Sequence, residues 1–294
     1  MDHFPRLLAC TLLLALPLGM VSADDALQPS YGGDVATQEK LQCDERTQAC
    51  DVGDDQRVRT RILRGTSFDA TAEMPPSTVP CSDPAGCPDL RIDPRDLRQA
   101  FKETRTFGAG HCAVIEGATV PGTRHLLRFP TASANLGDGD LIVGAPADHP
   151  DWFIFSPCHS HYHFTDYVDY RLWTMRGWKA WDRARAADPD AMPEDVMATD
   201  PRYADHLLEG RKQGFCVIDI RSYWAVPSKY HSCSTDQGIT AGWADVYGAY
   251  LDGQWVDITD VGPGRYVLEV EINPGRVYDE SDYANNRAAI RVRI

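Results

Sequence analysis

Cys158-His159-Ser160-His161-Tyr162-His163 places three imidazoles at alternate positions of one short segment. Alternate side chains of an extended chain point the same way, so all three would share a face. A straight strand would still hold the outer two roughly 13 Å apart, too far to serve one ion. The segment must therefore curve, and Pro157 immediately before it is compatible with leaving a regular strand. Three imidazoles with no neighbouring carboxylate suit copper, zinc or nickel, and the affinity order favours copper. The bland alternative is three surface histidines on a polar strand, which requires a chain with 9 histidines in 294 residues to alternate them by chance. An electron-transfer copper site is not expected, because no Cys-x-x-x-x-His-x-x-x-x-Met grouping follows the cluster. A zinc hydrolase would want a glutamate base, as in H-E-x-x-H, and that pattern is missing.

Charge narrows the partners. The chain carries 29 Lys and Arg against 43 Asp and Glu, a formal net charge of −14. It offers no electrostatic footprint for nucleic acid and is poorly suited to anionic membranes, but it attracts cations, amines among them. The N-terminus runs apolar from Leu7 to Val21, about 15 residues, which is short for a membrane span. Val21-Ser22-Ala23 supplies small residues where a signal peptidase cuts, so residues 1–23 read as a secretory signal. Leu7-Leu8-Ala9-Cys10 precedes the apolar core, the wrong order for a lipoprotein signal. The mature protein is expected to be soluble and exported, extracellular or periplasmic.

Removal of Cys10 leaves Cys43, Cys50, Cys81, Cys87, Cys112, Cys158, Cys216 and Cys233. An even number in an exported chain reads as a disulfide framework, and the short spacings suggest local Cys43–Cys50 and Cys81–Cys87 bridges. Residues 24–80 are acidic, contain Gly, Pro and Ser and lack sustained periodicity. They read as a loosely structured leader tied by a disulfide loop. Residues 81–294 read as one mainly-β domain, a single β-sandwich-like unit with long loops and a few short helices. Strand patterns lie at His125–Phe129, Asp140–Gly144, Trp152–Phe155, Tyr266–Ile272 and Ala288–Ile294. One helix is expected over Asp93–Lys102, capped by Asp93 with Pro94 in its first turn, and short helices over 174–214.

Trp152 to Tyr170, with the histidine cluster inside it, resembles the copper loop of the lysyl oxidases. The likeness continues through Glu209-Gly-Arg-Lys-Gln-Gly-Phe-Cys216, Ala241-Gly-Trp-Ala-Asp-Val-Tyr-Gly248 and Gln254-Trp-Val-Asp-Ile-Thr-Asp-Val-Gly-Pro-Gly-Arg-Tyr266. Asn273-Pro and Glu280-Ser-Asp-Tyr-Ala-Asn-Asn286 complete it, all in the same order from about Pro88 to Ile294. The resemblance implies a copper-dependent amine oxidase with copper on His159, His161 and His163. It also implies a cofactor made by the protein itself, lysine tyrosylquinone, with Lys212 cross-linked to Tyr247. Lysine must be neutral to attack an oxidised ring, so burial or a depressed pKa would help it. Asp245, two residues before Tyr247, matches the family aspartate proposed to take the α-proton of the amine substrate. The substrate would be a primary amine or a lysine-containing protein, with molecular oxygen as oxidant and aldehyde, ammonia and hydrogen peroxide as products.

Glu280, Asp282, Asn285 and Asn286 offer four oxygen-bearing side chains within seven residues, which suits calcium. Some family members have a calcium site that this stretch resembles, and it would add Asp89 and the carbonyl of Leu90. The family register implies a Cys158–Cys233 bridge, which leaves Cys112 and Cys216 to pair with each other. Between Tyr170 and Lys212 the chain is longer than the animal enzymes, with an insertion around Met175–Asp205, and nothing in it resembles their basic propeptide or scavenger-receptor domains. The rival from another class is a secreted copper- or calcium-binding β-sandwich without catalysis. Such a module would keep the histidines and have no use for a paired Lys212 and Tyr247.

Overall fold

The computed structural model describes residues 43, 50–63, 68–70, 81, 86–198, 207–212 and 214–294. The expected signal, residues 1–23, and most of the leader lie outside them. No helix among the described residues is long and apolar enough to cross a membrane.

The fold is mainly β, built from antiparallel sheets. The five-stranded sheet has the order β1 (Arg59–Ile62), β16 (Arg287–Arg293), β15 (Arg265–Ile272), β9 (Val168–Thr174), β10 (Leu207–Glu209). The four-stranded sheet runs β11 (Arg221–Ser222), β13 (Trp243–Tyr247), β5 (Thr131–Asn135), β2 (Leu90–Ile92). A three-stranded sheet joins β14 (Trp255–Asp257), β4 (Gly122–Arg128) and β3 (Phe101–Phe107). Two pairs complete the set: β12 (Gln237–Ile239) with β6 (Leu141–Gly144), and the hairpin β7 (Phe153–Ser156) with β8 (His161–Phe164). The two largest sheets share one core, in which Leu90 and Ile92 of β2 cluster with Leu268, Val270, Ile290 and Val292. β1 lies inside the stretch read as a loose leader, yet it pairs with β16 from Arg59↔Arg293 to Ile62↔Ile290.

β15 shows how the sequence sets the layering. It is central, so both faces are buried from Val267 to Ile272. Its apolar positions enter the core, and its acidic ones must find partners away from water. Glu269, fully buried, accepts from the indole N–H of Trp173 (2.8 Å) and of Trp181 (3.0 Å). Arg171 and Arg185 both bond to Glu271. Trp181 and Arg185 belong to α3 (Met175–Ala187), which Thr174 caps by accepting from the Gly177 N–H. The described part of the insertion is thus docked on this sheet, with Trp181 stacked on Trp173 at 5.6 Å.

The helix expected over Asp93–Lys102 is shorter than its sequence suggests. α1 covers only Pro94–Leu97, with Asp93 capping it and Pro94 in its first turn. From Phe101 the chain pairs with β4 over the full length of β3, and this long-range ladder overrides local helical preference.

Candidate active site

The histidine loop curves where its chemistry requires. Ser160 takes a left-handed backbone (φ 57°), separating His159 in the β7–β8 turn from His161 and His163 on β8. The Ser156 carbonyl accepts from both His159 and Ser160 N–H, closing the turn. His163 Nε2 then lies 3.2 Å from His159 Nδ1 and 3.1 Å from His161 Nε2. Donors about 2.0–2.1 Å from one ion, at angles between square and tetrahedral, stand roughly 2.9–3.4 Å apart. Both pairs that include His163 therefore stand at the spacing of one transition-metal ion, and the three donor atoms all lie within 4.8 Å of one another. Burial first, then the nearby Lys212 ammonium and the other two imidazoles, pushes His163 down to about 3. It stays neutral, as a ligand must.

A short segment beside β8 brings up the second half of the site. Phe164 and Phe215 exchange both backbone hydrogen bonds, at 2.7 and 3.1 Å, so residues 214–216 run alongside the histidines. Gly214 is required there: a Cβ would sit 2.2 Å from His163 Nδ1. Lys212 precedes this contact, with its Nζ 5.1 Å from the centroid of the Tyr247 ring and 5.2 Å from that of Phe215. The ammonium donates to the Asp252 carbonyl at 3.3 Å. Burial brings the Lys212 amine down to about 8, partly opposed by the charges of Glu116, Asp252 and Asp245.

β13 carries Asp245 and Tyr247 on one face, next to Ser133 and Thr131 of β5 in register. The Tyr247 hydroxyl donates to the Cys216 carbonyl (2.7 Å), and its ring packs edge-on against Phe215 at 5.1 Å. Asp245 is 1% exposed, and its Oδ2 has no hydrogen-bond partner. Burial pushes its carboxyl well up, partly opposed by the Val246 N–H and the Lys212 charge. A cation arriving beside it would bring it back down. Burial, reinforced by Asp245, also raises the Tyr247 phenol. Metal ligands, lysine, tyrosine and carboxylate thus share one neighbourhood although they span residues 159 to 247. A groove of about 520 Å³, lined by residues such as Leu208, Glu209, Trp255 and Asp260, includes none of them.

Two site residues have no local sequence signal. Glu116 Oε1 lies 3.5 Å from His159 Nδ1 and accepts from the Ser156 hydroxyl at 2.5 Å. Asp252, whose carbonyl holds Lys212, binds Arg105 through its carboxylate at 3.0 Å.

The disulfides correct part of the sequence reading. Cys43–Cys50 and Cys81–Cys87 form as expected. Cys158 pairs with Cys112 and Cys233 with Cys216, in place of Cys158–Cys233 and Cys112–Cys216. The reason is proximity. Cys112 opens α2 (Cys112–Ile115), whose C-cap Glu116 bonds to Ser156 of the histidine hairpin, and this brings Cys112 to Cys158. Cys233 remains near that hairpin, because the Gln237 amide donates to the carbonyls of both Cys233 and Tyr162.

The residues expected to hold calcium also come together. Asn285 Nδ2 bridges Asp89 Oδ1 (2.8 Å) and Asp282 Oδ2 (3.1 Å). Glu280 spends its oxygens on N–H donors: Leu90 on Oε2, and Asn273 and Asn286 on Oε1. Burial lifts its carboxyl to about 8 against the pull of those donors. The Oδ1 atoms of Asn285 and Asn286 are buried and unpartnered.

A profile of the lysyl oxidase family matches residues 195–294. The chain is 33% identical to protein-lysine 6-oxidase from Sus scrofa over 219 residues, 71% of this chain and 77% of that one. It is 32% identical to the Homo sapiens protein of the same name, over 71% of this chain and 46% of that one. Against Homo sapiens lysyl oxidase homolog 4 the identity is 32%, over 73% of this chain and 26% of that one. The match thus spans less than half the length of these human relatives. Identity of 33% over 77% of the Sus scrofa protein places the chain in its family: it belongs to the lysyl oxidases.

Proposed function

We propose that this protein is a secreted copper amine oxidase that converts a primary amine, free or as a lysine side chain of a protein, into an aldehyde. Oxygen and water are consumed, and ammonia and hydrogen peroxide are released. The observation that carries the reading is Lys212 Nζ standing 5.1 Å from the Tyr247 ring, beside a three-imidazole metal cluster. A non-catalytic binding module has no use for a partly neutral lysine held against a buried phenol.

Copper on His159, His161 and His163 would supply the oxygen chemistry that oxidises the Tyr247 ring, and the resulting lysine tyrosylquinone would be the electrophile and electron sink. The chain's own residues do the rest. Tyr247 is held by its bond to Cys216 and by Phe215, while the flexible lysine stem can swing Nζ to the ring edge. Asp245 is the candidate base: it is buried, has an oxygen without a partner, and lies two residues from the ring that would hold the substrate. The net charge of −14 favours approach of a cationic amine. The names of the relatives support a lysine-containing substrate, and the four disulfides support export. A structural calcium ion near Asp89, Leu90, Asp282 and Asn285 would join the first and last core segments. Glu280 and the unpartnered Asn286 Oδ1 would complete its set of oxygens.

The test is direct. Copper-loaded protein given a primary amine should release peroxide, and a hydrazine should trap its quinone and stop turnover. Copper-loaded protein that does neither would return the chain to the binding-module reading.

A pH dependence follows from Lys212. With its amine near 8, about a tenth is neutral at pH 7 and half at pH 8. Cross-linking after copper addition should therefore speed up roughly tenfold from pH 6 to pH 7 and level off above pH 8. Stability shares this sign, because the depressed amine costs most when protonated and that cost fades as pH rises from about 8 toward the unfolded value. A cross-linking rate flat from pH 6 to pH 8 would contradict the assignment.

A further inference from the structure

We propose that Glu116 is a fourth protein donor to the metal held by His159, His161 and His163, a carboxylate oxygen bound next to His159 Nδ1. This rests on the copper reading above and adds a ligand that the sequence of the loop does not contain.

The position of the carboxylate carries the inference. A carboxylate that only orients a metal-bound histidine accepts from the ring nitrogen facing away from the ion. Here Glu116 Oε1 is 3.5 Å from Nδ1, the same nitrogen that stands 3.2 Å from His163 Nε2. The carboxylate therefore lies on the metal side of the ring. Its distance is close to the spacing expected of neighbouring donors on one ion, roughly 2.9–3.4 Å. Three imidazoles and one carboxylate make a nitrogen–oxygen set of the kind that suits tetragonal copper(II). The anion would also offset part of the ion's charge in a half-buried site.

The fold holds Glu116 there by several independent links. It is the C-cap of α2, its N–H bonded to the Cys112 carbonyl. The Cys112–Cys158 disulfide ties that helix to the residue before His159. His111 caps the other end of α2, its Nδ1 accepting from the Ala113 N–H at 3.1 Å. Ser156, buried, donates its hydroxyl to Glu116 Oε1 and accepts from the His159 N–H at 3.2 Å. One serine thus aims the carboxylate and fixes the backbone of its neighbouring ligand.

The experiment compares copper(II)-loaded wild type with Glu116→Gln by electron paramagnetic resonance and by competition with a chelator. The wild type should show nitrogen hyperfine structure. Glu116→Gln should change the parallel g value and copper hyperfine coupling and weaken copper by more than about 100-fold, the upper range for loss of an outer partner. A normal wild-type spectrum that Glu116→Gln leaves unchanged overturns the carboxylate ligand and leaves the copper reading standing. A wild type without a nitrogen-ligated copper signal overturns both. Should Glu116→Gln fail to fold, zinc-loaded wild type carrying ¹³C-labelled glutamate decides the question by infrared difference spectroscopy. A shifted glutamate carboxylate stretch on zinc addition supports the ligand, and no shift overturns it.

Discussion

Tyr247→Phe should abolish amine oxidation while leaving a folded protein that still binds copper. The substitution removes one hydroxyl and its bond to the Cys216 carbonyl, a loss of about 1 kcal/mol. The ring and its contact with Phe215 remain, and no metal ligand is touched. The phenol oxygen is nevertheless the starting point of the quinone, and without a quinone the site has no electron sink. Peroxide release should fall by a factor on the order of 10⁶ or more, the scale of enzymatic acceleration itself. Copper stoichiometry and far-ultraviolet circular dichroism should match the wild type. Peroxide release above a few per cent of wild type would remove Tyr247 from the cofactor.

Asp245→Asn should separate making the cofactor from using it. The amide keeps the shape of the side chain and loses its affinity for a proton, while Lys212 and Tyr247 keep their places. Cross-linking should therefore proceed, and kcat should drop by about 10²–10⁴, the usual contribution of a positioned base. The drop should appear in kcat and kcat/KM together, as for an interaction made in the transition state. A carboxylate that served only to attract the substrate ammonium would instead raise KM and leave kcat unchanged. Burial holds the Asp245 carboxyl up in the resting protein, so the wild-type rate should also fall as the medium turns acidic. Asp245→Asn should lose that acid limb.

How much of this was legible in the sequence varies with the range of the interaction. The alternating histidines demanded a bend, and Ser160 supplies it in the left-handed region. β4, β6, β7, β15 and β16 could be read from short apolar runs bounded by turn residues, and β6 shows the strand alternation directly, with Leu141 and Val143 buried and Ile142 exposed. β5 could not: Thr131-Ala-Ser-Ala-Asn135 is small and polar, and it is buried throughout because β13 and β2 flank it. Asp93–Lys102 reads as a helix over its full length, yet β4 claims everything from Phe101. Lys212, Asp245 and Tyr247 were legible only as a family register, since no local pattern tells a lysine that it will lie over a ring 35 positions later.

Glu116 and the disulfides show the limit most clearly. Glu116 lies 40 positions before Ser156, on a single turn of helix with no apolar stripe to mark it. Cysteine spacing alone admits many connectivities. The family register offered Cys158–Cys233, whereas the packing of α2 against the histidine hairpin brings Cys112 to Cys158 at a Cα separation of 5.9 Å. That separation is ordinary for a disulfide.

The central claim is that Lys212 and Tyr247 become one cofactor, and peptide mass mapping of the mature protein tests it most directly. Nothing in ordinary folding joins a lysine amine to a phenol ring. Digestion of fully copper-loaded protein should give a single cross-linked species containing both residues, with no free Lys212 peptide. The same digest of protein kept free of copper should give the two peptides separately. Separate, unmodified Lys212 and Tyr247 peptides after full copper loading would contradict the account and leave a metal-binding β-protein without catalysis.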